Sequence, residues 1–460
     1  MAAWRLFSGD FNKNIWGKAF RWAKNGTSVR KVPATMKNSD GSNTTTLEET
    51  AHLLLDTFFP KENGPAYDIR NTPFRQYSKV VDQQRVKAAV WRMRPSKAPG
   101  LDGITAGMLR KAWPVLGREL TSLYDRCITQ ATFPEIWKCA NLVVIPNAGK
   151  TDLTNPKAYR PISLLPTMGK ALETLIIQDM EEETGLNEHR QQHGFIPGKS
   201  TITALTEVNE WVDASKCRYV FRAFLDITGA FDNVGWRPVL SRLEDMGASN
   251  RTLNITNSYL TNRTVRLRLE NHEYVRQLQR GCPQGSQLGP TLWKVAMTGL
   301  NELRLDDTAS MTLYADDIAL LVGAARPHTA FGRIEKYMDA LKAWAERFSL
   351  TFSPTKSQLL SLKGGLKPMY SVGFGSKADD PRIHASDTVR YLGVIMDPRR
   401  SYWHHIQYLK DKSKNLYTRL RCMTSANWGM GRDVAKIIYE AVYLPRITYA
   451  AQIWMPGCYL

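Results

Sequence analysis

Between residues 219 and 227 the run YVFRAFLDI is apolar and aromatic almost without interruption and carries one carboxylate, Asp226, near its end. A short run of this composition predicts a buried strand. At 311–322, MTLYADDIALLV sets two apolar halves around Asp316 and Asp317, which predicts a tight β-hairpin with both acids at its tip. CANLVVIPNAG at 139–149 reads as a further strand leaving into a turn. Helical spacing dominates elsewhere. Residues 81–93 and 104–129 are helical, with Pro114 marking a kink or a break in the second. A short acidic helix follows residue 46, where Thr46 and Glu49 have the spacing of a capping box. At 4–24, Trp4, Phe7, Phe11, Ile15, Ala19 and Trp22 form a helical apolar stripe interspersed with Lys13, Lys18, Arg21 and Lys24. An RNA-contacting arm and a helix packed on the body both fit that stripe. Residues 36–46 and about 60–75 are polar or rich in Pro and Asn and read as loops. From about residue 80 helices alternate with β-rich runs, which predicts a mixed α/β core. Beyond about 400 the chain turns to basic amphipathic helices.

A chain of 460 residues, 43% hydrophobic, can bury an extended core, and its length suggests two to four subdomains. The formal net charge of +19 changes the picture most, because it favours a polyanionic partner. Nucleic acid is the leading class. No apolar stretch reaches the roughly 18 residues of a spanning helix, and no apolar signal-peptide core opens the chain, so no membrane partner is expected. The six cysteines include no C-x-x-C pair, and the histidines no H-E-x-x-H pattern, so neither a zinc site nor a disulfide framework is indicated. His404 and His405 are expected in a polar helix start.

Acids set beside apolar strands need a partner. At an effective dielectric of about 20, two like charges about 4 Å apart repel by roughly 4 kcal/mol, so a close cluster needs protonation or bound cations. Carboxylate oxygens suit magnesium, and two such ions would activate an attacking hydroxyl and stabilise a leaving pyrophosphate. Spacing alone leaves open whether Asp226 meets Asp316 at all; each acid by itself fits an ordinary turn.

FLDITGAFDNV at 224–234, RGCPQGSQLGPTLW at 280–293 and YADD at 314–317 resemble, in order and spacing, the palm motifs A, B and C of reverse transcriptases. APGLDGI at 98–104, NPKAYRPISLLP at 155–166, HGFIPGKST at 193–201 and RYLGVIMD at 390–397 resemble that family's further blocks. Together they are similar to the polymerase of a non-LTR, LINE-type retrotransposon of insects, over roughly residues 80–455. The resemblance implies an α+β right-hand polymerase with an N-terminal extension over 1–79, fingers and palm over 80–398 and a helical thumb over 399–460. It implies that RNA is copied into DNA from a primer 3′-hydroxyl and dNTPs, with two Mg2+ ions (Mn2+ a possible substitute).

Residue by residue, the resemblance makes Asp226, Asp316 and Asp317 the metal ligands, joined by the Ile227 carbonyl. Phe231 becomes the ring that excludes a 2′-hydroxyl, where its sequence context alone suggests core packing. Asp232 is assigned local capping or pairing. Gln284 is placed near the incoming nucleotide, and Gly285 allows template or sugar to approach. Arg160 grips the triphosphate, with Lys150 a second candidate. HGFIPGKST is one residue short of a phosphate-cradling loop between its glycines; Gly198, Lys199 and Ser200 are expected on the RNA backbone instead. Lys356, in a segment resembling motif D, is the candidate general acid for pyrophosphate. Tyr391, Leu392 and Gly393 belong to a primer-grip hairpin. The expected partners are template RNA, a DNA primer or nicked target DNA, dNTPs and an endonuclease domain missing from this chain, which implies nuclear work after cytoplasmic synthesis. A viral RNA polymerase is disfavoured by Phe231. A group II intron or telomerase-type enzyme and a catalytically weak RNA-binding scaffold are the other readings.

Overall fold

The computed structural model describes residues 14–17, 32–33, 35–38, 40–61, 80–147, 150, 152–365, 370–425 and 428–455. Most of the aromatic stripe at 4–24, most of the loop at 60–75 and Cys458 lie outside the described residues.

The first described helix is α1 (Leu47–Phe58). Its N-cap is half of the expected box. The Thr46 hydroxyl accepts the Glu49 amide at 3.1 Å, but the Glu49 carboxylate turns to the Thr45 amide and hydroxyl, one residue earlier than the motif predicts. Helices α2 (Gln83–Arg92) and α3 (Ala106–Thr129) follow. Pro114 neither ends nor divides α3. A proline inside a helix costs about 3 kcal/mol, and burial of Leu109, Trp113, Leu120 and Tyr124 on one face offsets that cost.

Strands β1 (Cys139–Pro146) and β2 (Tyr159–Leu164) form an antiparallel hairpin, and α4 (Thr167–Thr184) and α5 (Thr201–Ala214) lead to β3 (Tyr219–Leu225). A one-turn α6 (Ala230–Asn233), then α7 (Trp236–Asp245) and α8 (Asn250–Leu260), precede β4 (Thr264–Leu269) and β5 (His272–Gln277). These four outer strands make one sheet in the order β2-β1-β4-β5. Next come α9 (Leu288–Thr298), β6 (Ala309–Tyr314), β7 (Asp317–Ala324), α10 (Pro327–Arg347) and β8 (Gln358–Lys363). The second sheet, antiparallel throughout, runs β6-β7-β3-β8.

β3 is central in that sheet, and both of its faces are covered. Phe221, Ala223 and Leu225 point into the main core with α9 and α10; Val220 and Phe224 point into a second core shared with α5 and residues 389–402. Two covered faces explain why the run carries no polar alternation. One residue breaks the pattern: Arg222 is fully buried among these side chains.

The chain continues through the short pairs β9 (Ser371–Gly373) with β10 (Arg382–His384) and β11 (Val389–Tyr391) with β12 (Val394–Met396), then α11 (Trp403–Arg421). His404 and His405 do open this helix, but His405 is buried, and its Nδ1 accepts the Ile395 amide at 3.3 Å. The last predicted helix is interrupted. It runs from Arg432, widens into a π turn at Tyr439–Tyr443 just before Pro445, ends at Ile447, and resumes for a single turn after Ala450, whose φ is +52°. The described cysteines are free thiols. Among the described residues no helix is long and apolar enough to cross a membrane.

Candidate active site

The register of the second sheet brings the acids together. Phe224 pairs with Ala319 and Leu225 with Ile318, so the next step along the ladder carries Asp226 to the level of Asp317. Tyr314 pairs with Asp317, which leaves Ala315 and Asp316 as a two-residue turn with Ala315 at φ +54°. An alanine held in the left-handed region needs support from its surroundings. Gln192 supplies it: its Oε1 accepts the amides of Ala315 at 3.0 Å and Gly194 at 2.7 Å. Trp293 Nε1 donates to the Ala315 carbonyl at 2.9 Å. Neither Gln192 nor Trp293 was singled out from the sequence, although Trp293 ends the 280–293 block and Gln192 immediately precedes the 193–201 block that carry the resemblance.

Both acids of the turn respond to their surroundings. Asp316 and Asp317 retain solvent access as residues, yet desolvation in the cleft is the leading cause of a raised pKa for both carboxyls. The charge of Asp226 adds to the shift of each. Asp317 is pushed up to about 6 by desolvation, then by Asp316 and Asp226, while Arg222 pulls it back. The Lys356 ammonium stands 3.3 Å from Asp226 Oδ2, so a cation already sits against this carboxylate.

Among the described residues no three His, Cys, Asp or Glu side chains converge into a ready metal cage. The donor chemistry nevertheless fits a hard divalent cation: three carboxylates, mutual repulsion, and a lysine standing where positive charge is needed. Ile227 adds to the fit. It forms an isolated antiparallel bridge with Phe352 in which the flanking residues make the bonds, Thr228 to the Thr351 carbonyl and Ser353 to the Asp226 carbonyl. The ladder therefore leaves the Ile227 carbonyl free.

Phe231 packs beside Trp293, with ring centroids 5.3 Å apart, and meets the edge of Phe195 at 6.1 Å. Its neighbour Asp232 is the partner of Gln284, whose Nε2 donates to both carboxylate oxygens at 3.1 and 3.2 Å. Desolvation pushes the Asp232 carboxyl up to about 7. Asp232 is thus the residue that orients Gln284.

Several expected contacts are occupied differently. The close approach that Gly285 permits is to its own chain: at φ +116°, a Cβ there would lie 2.6 Å from the Ser163 carbonyl oxygen. This joins the outer sheet to the 280–290 loop, together with the Ser163 amide donating to the Gln284 carbonyl at 2.7 Å. Lys199 donates to the carbonyls of His189 and Arg190, so its ammonium braces a loop rather than facing outward to RNA. The Ser200 hydroxyl caps α5 in a reciprocal box with Thr203. Gly198, at φ +78°, borders open space. Arg160 and Lys150 are both exposed, one near the start of β2 and one in the loop before it. Tyr391 is buried against Arg222 and Phe224, and Leu392 and Gly393 form a turn with φ +45° and +86°.

An antiparallel sheet with an acid at the end of its central strand and two more at the adjoining hairpin defines a polymerase-type palm. The family profile described as reverse transcriptase (RNA-dependent DNA polymerase) matches residues 145–396, and the chain belongs to this family. It is 29% identical over 457 residues to a 115 kDa protein of the type-1 retrotransposable element R1DM of Drosophila melanogaster, covering 99% of this chain and 43% of that protein. It is 28% identical to the Pol polyprotein of the type-1 retrotransposable element R1 of Bradysia coprophila, covering 99% and 45%. Against the RNA-directed DNA polymerase from mobile element jockey of Drosophila funebris the identity is 28%, covering 83% and 42%. The chain thus spans less than half the length of each relative. Among solved structures, apo telomerase from Candida tropicalis aligns over 66% of this chain and 57% of its own at 9% identity, with a TM-score of 0.39. The fold is that of a right-hand polymerase, and the family is that of non-LTR insect retrotransposon reverse transcriptases.

Proposed function

We propose that this chain copies RNA into DNA by extending a primer 3′-hydroxyl with dNTPs, using Asp226, Asp316, Asp317 and the Ile227 carbonyl to hold two Mg2+ ions. The observation that carries this reading is the sheet register that sets Asp226 beside the Asp316–Asp317 turn, with its charge felt by both acids of the turn. When bound, magnesium neutralises these carboxylates, activates the primer hydroxyl and stabilises the leaving pyrophosphate.

The chain's own residues do the rest. Phe231, held by Trp293, blocks a 2′-hydroxyl. Gln284, oriented by Asp232, faces the nucleotide. Arg160 and Lys150 bind the triphosphate from the outer sheet. Lys356 Nζ donates a proton to pyrophosphate after exchanging Asp226 for the leaving group. Residues 389–396 position the primer end. Residues 80–398 serve as fingers and palm, 399–460 as the thumb along the duplex, and 1–79 as an extension. In the element the work is target-primed and nuclear, beside an endonuclease domain carried outside this stretch.

Primer extension on an RNA template with magnesium tests the reading. Extension with dNTPs but not rNTPs, abolished by Asp316→Asn with unchanged thermal unfolding, is expected. RNA binding without extension by the wild type would replace it with the scaffold reading.

A further inference from the structure

Glu173, within α4, is a fully buried carboxylate that the proposed catalytic cycle does not use. It reaches the loop that carries Gln284. Helix α9 begins at Leu288, and Gln287 just before it makes no side-chain cap. The opening amides are bound all the same. Glu173 Oε2 accepts the Gln287 amide at 2.5 Å and the Leu288 amide at 3.0 Å, Ser286 Oγ accepts the Gly289 amide at 2.8 Å, and Pro290 has no N–H to place. A carboxylate from α4 therefore caps α9 from outside, where the positive end of the helix dipole favours it. Burial raises the Glu173 carboxyl, and the charge of Arg263, itself fully buried, draws it back.

Between Cys282 and Gln287 the loop is tied at four points. The Cys282 amide donates to the Phe231 carbonyl at 2.6 Å, the Gln284 side chain to Asp232, and the Ser163 amide to the Gln284 carbonyl; Glu173 closes the far end. Two of these ties fall on Phe231 and its neighbour Asp232, so the loop and the ring assigned to the sugar are set together. The rest of α9 is anchored independently. Lys294 Nζ, buried, donates to Glu181 Oε1 and to Asn187 Oδ1, each at 2.7 Å, and the adjacent Trp293 holds the Ala315 carbonyl. Loss of the Glu173 tie would thus free the loop while the Asp316–Asp317 turn keeps its support.

We infer that Glu173 is a positioning residue for sugar selection: by holding the first amides of α9 it fixes the 282–287 loop against Phe231, an inference that rests on the polymerase reading above. The carboxylate touches neither nucleotide nor metal in this scheme. Its reach, not its charge, is what the site uses.

The test separates those two properties in the full chain on an RNA template with a DNA primer. Glu173→Asp keeps the charge that offsets Arg263 but withdraws the carboxylate by a methylene; Glu173→Gln keeps an acceptor oxygen at full reach and removes the charge. The preference for dATP over ATP is read twice, as kcat/KM in single-nucleotide extension and as equilibrium binding to a complex whose primer ends in a 2′,3′-dideoxynucleotide. Glu173→Asp is expected to lower the preference several-fold in both readings, through a raised KM for dATP with little change in kcat. Glu173→Gln should stay near wild type. Met338→Ala, a core truncation on α10, lowers thermal stability and should leave the preference unmoved. Equal loss in both Glu173 variants, loss in Glu173→Gln alone, no loss in either, or a matching loss in Met338→Ala overturns the inference. If Glu173→Gln fails to fold, the comparison of Glu173→Asp with Met338→Ala decides. Wild type that prefers dATP in binding yet never extends a free primer keeps the binding comparison valid while the polymerase reading fails; wild type with no preference overturns the inference.

Discussion

Replacing Arg222 with methionine should leave stability within about 1 kcal/mol of its present value while shifting the magnesium dependence of the chemistry. Arg222 is fully buried on β3 with no carboxylate against it. Its guanidinium lies 4.1 Å from the ring centroid of Tyr391 and 4.5 Å from that of Phe224, and Nη1 reaches Met396 Sδ at 3.7 Å. Among the described residues, Nε and Nη2 have no hydrogen-bond partner. Burial pushes the guanidinium from its ordinary range down to about 10, which corresponds to about 3 kcal/mol against folding with the charge in place. The sign is that of a base with a depressed pKa: the penalty is fully present below about pH 10 and is relieved only above it. Two desolvated cation–π contacts return about 1–2 kcal/mol each. Arg222→Met removes the penalty and loses those contacts, so the expected net change in urea unfolding lies within about 1 kcal/mol of zero in either direction. The same substitution removes a positive charge felt at Asp317, which disfavours a divalent cation even more than a proton, so primer extension should need less magnesium for half-maximal rate. A loss of stability above about 3 kcal/mol, or unchanged magnesium dependence, would refute this account.

Phe231→Ala removes the ring stacked beside Trp293, and ribonucleotide incorporation should rise relative to dNTPs at a stability cost of about 2–3 kcal/mol; an unchanged rNTP-to-dNTP ratio in single-turnover extension would refute the gate. Asp232 is an acid with a raised pKa, so its contribution to stability is present below the ordinary carboxylate range and is lost as pH climbs through about 7. Asp232→Asn should therefore flatten urea stability between pH 5 and 8, and an undiminished slope would show that another group titrates. Gly285→Ala forces a side chain into φ +116° with its Cβ 2.6 Å from the Ser163 carbonyl, and should cost at least about 2 kcal/mol in urea unfolding; a neutral substitution would mean that the loop does not sit against β2.

What could be read from the chain were features that depend on neighbours in sequence. The apolar run at 219–227 and the split run at 311–322 became β3 and the β6–β7 hairpin because their side-chain patterns already satisfy a sheet covered on both faces. The acids at their ends needed only the register to meet. Other elements resisted reading because their cause lies far along the chain. Arg222 interrupts an apolar strand, and it is tolerated because Tyr391, from a distant hairpin, stacks upon it. Gly285 signals a close approach without saying to what, and the answer, Ser163, belongs to another sheet. Lys199 follows a glycine as phosphate-binding lysines do, yet nearby carbonyls bind it first.

The 389–396 hairpin shows why order of blocks and geometry of site are different kinds of information. Leu392 holds φ +45°, a conformation that costs a side chain roughly 1 kcal/mol or more unless its surroundings enforce it. The enforcement comes from Tyr449, whose hydroxyl lies 2.9 Å from the Leu392 carbonyl and 2.8 Å from Thr201 Oγ1. Its ring also lies where a Cβ on Gly393 would come within 3.0 Å. The turn is thus fixed jointly by the chain's last described segment and by the residue that opens α5. Below it, Tyr391 rests on Arg222, whose charge reaches Asp317. A displacement of the segment around Tyr449 must therefore either strain Leu392 or move Tyr391, and the second choice alters the field at the Asp316–Asp317 turn.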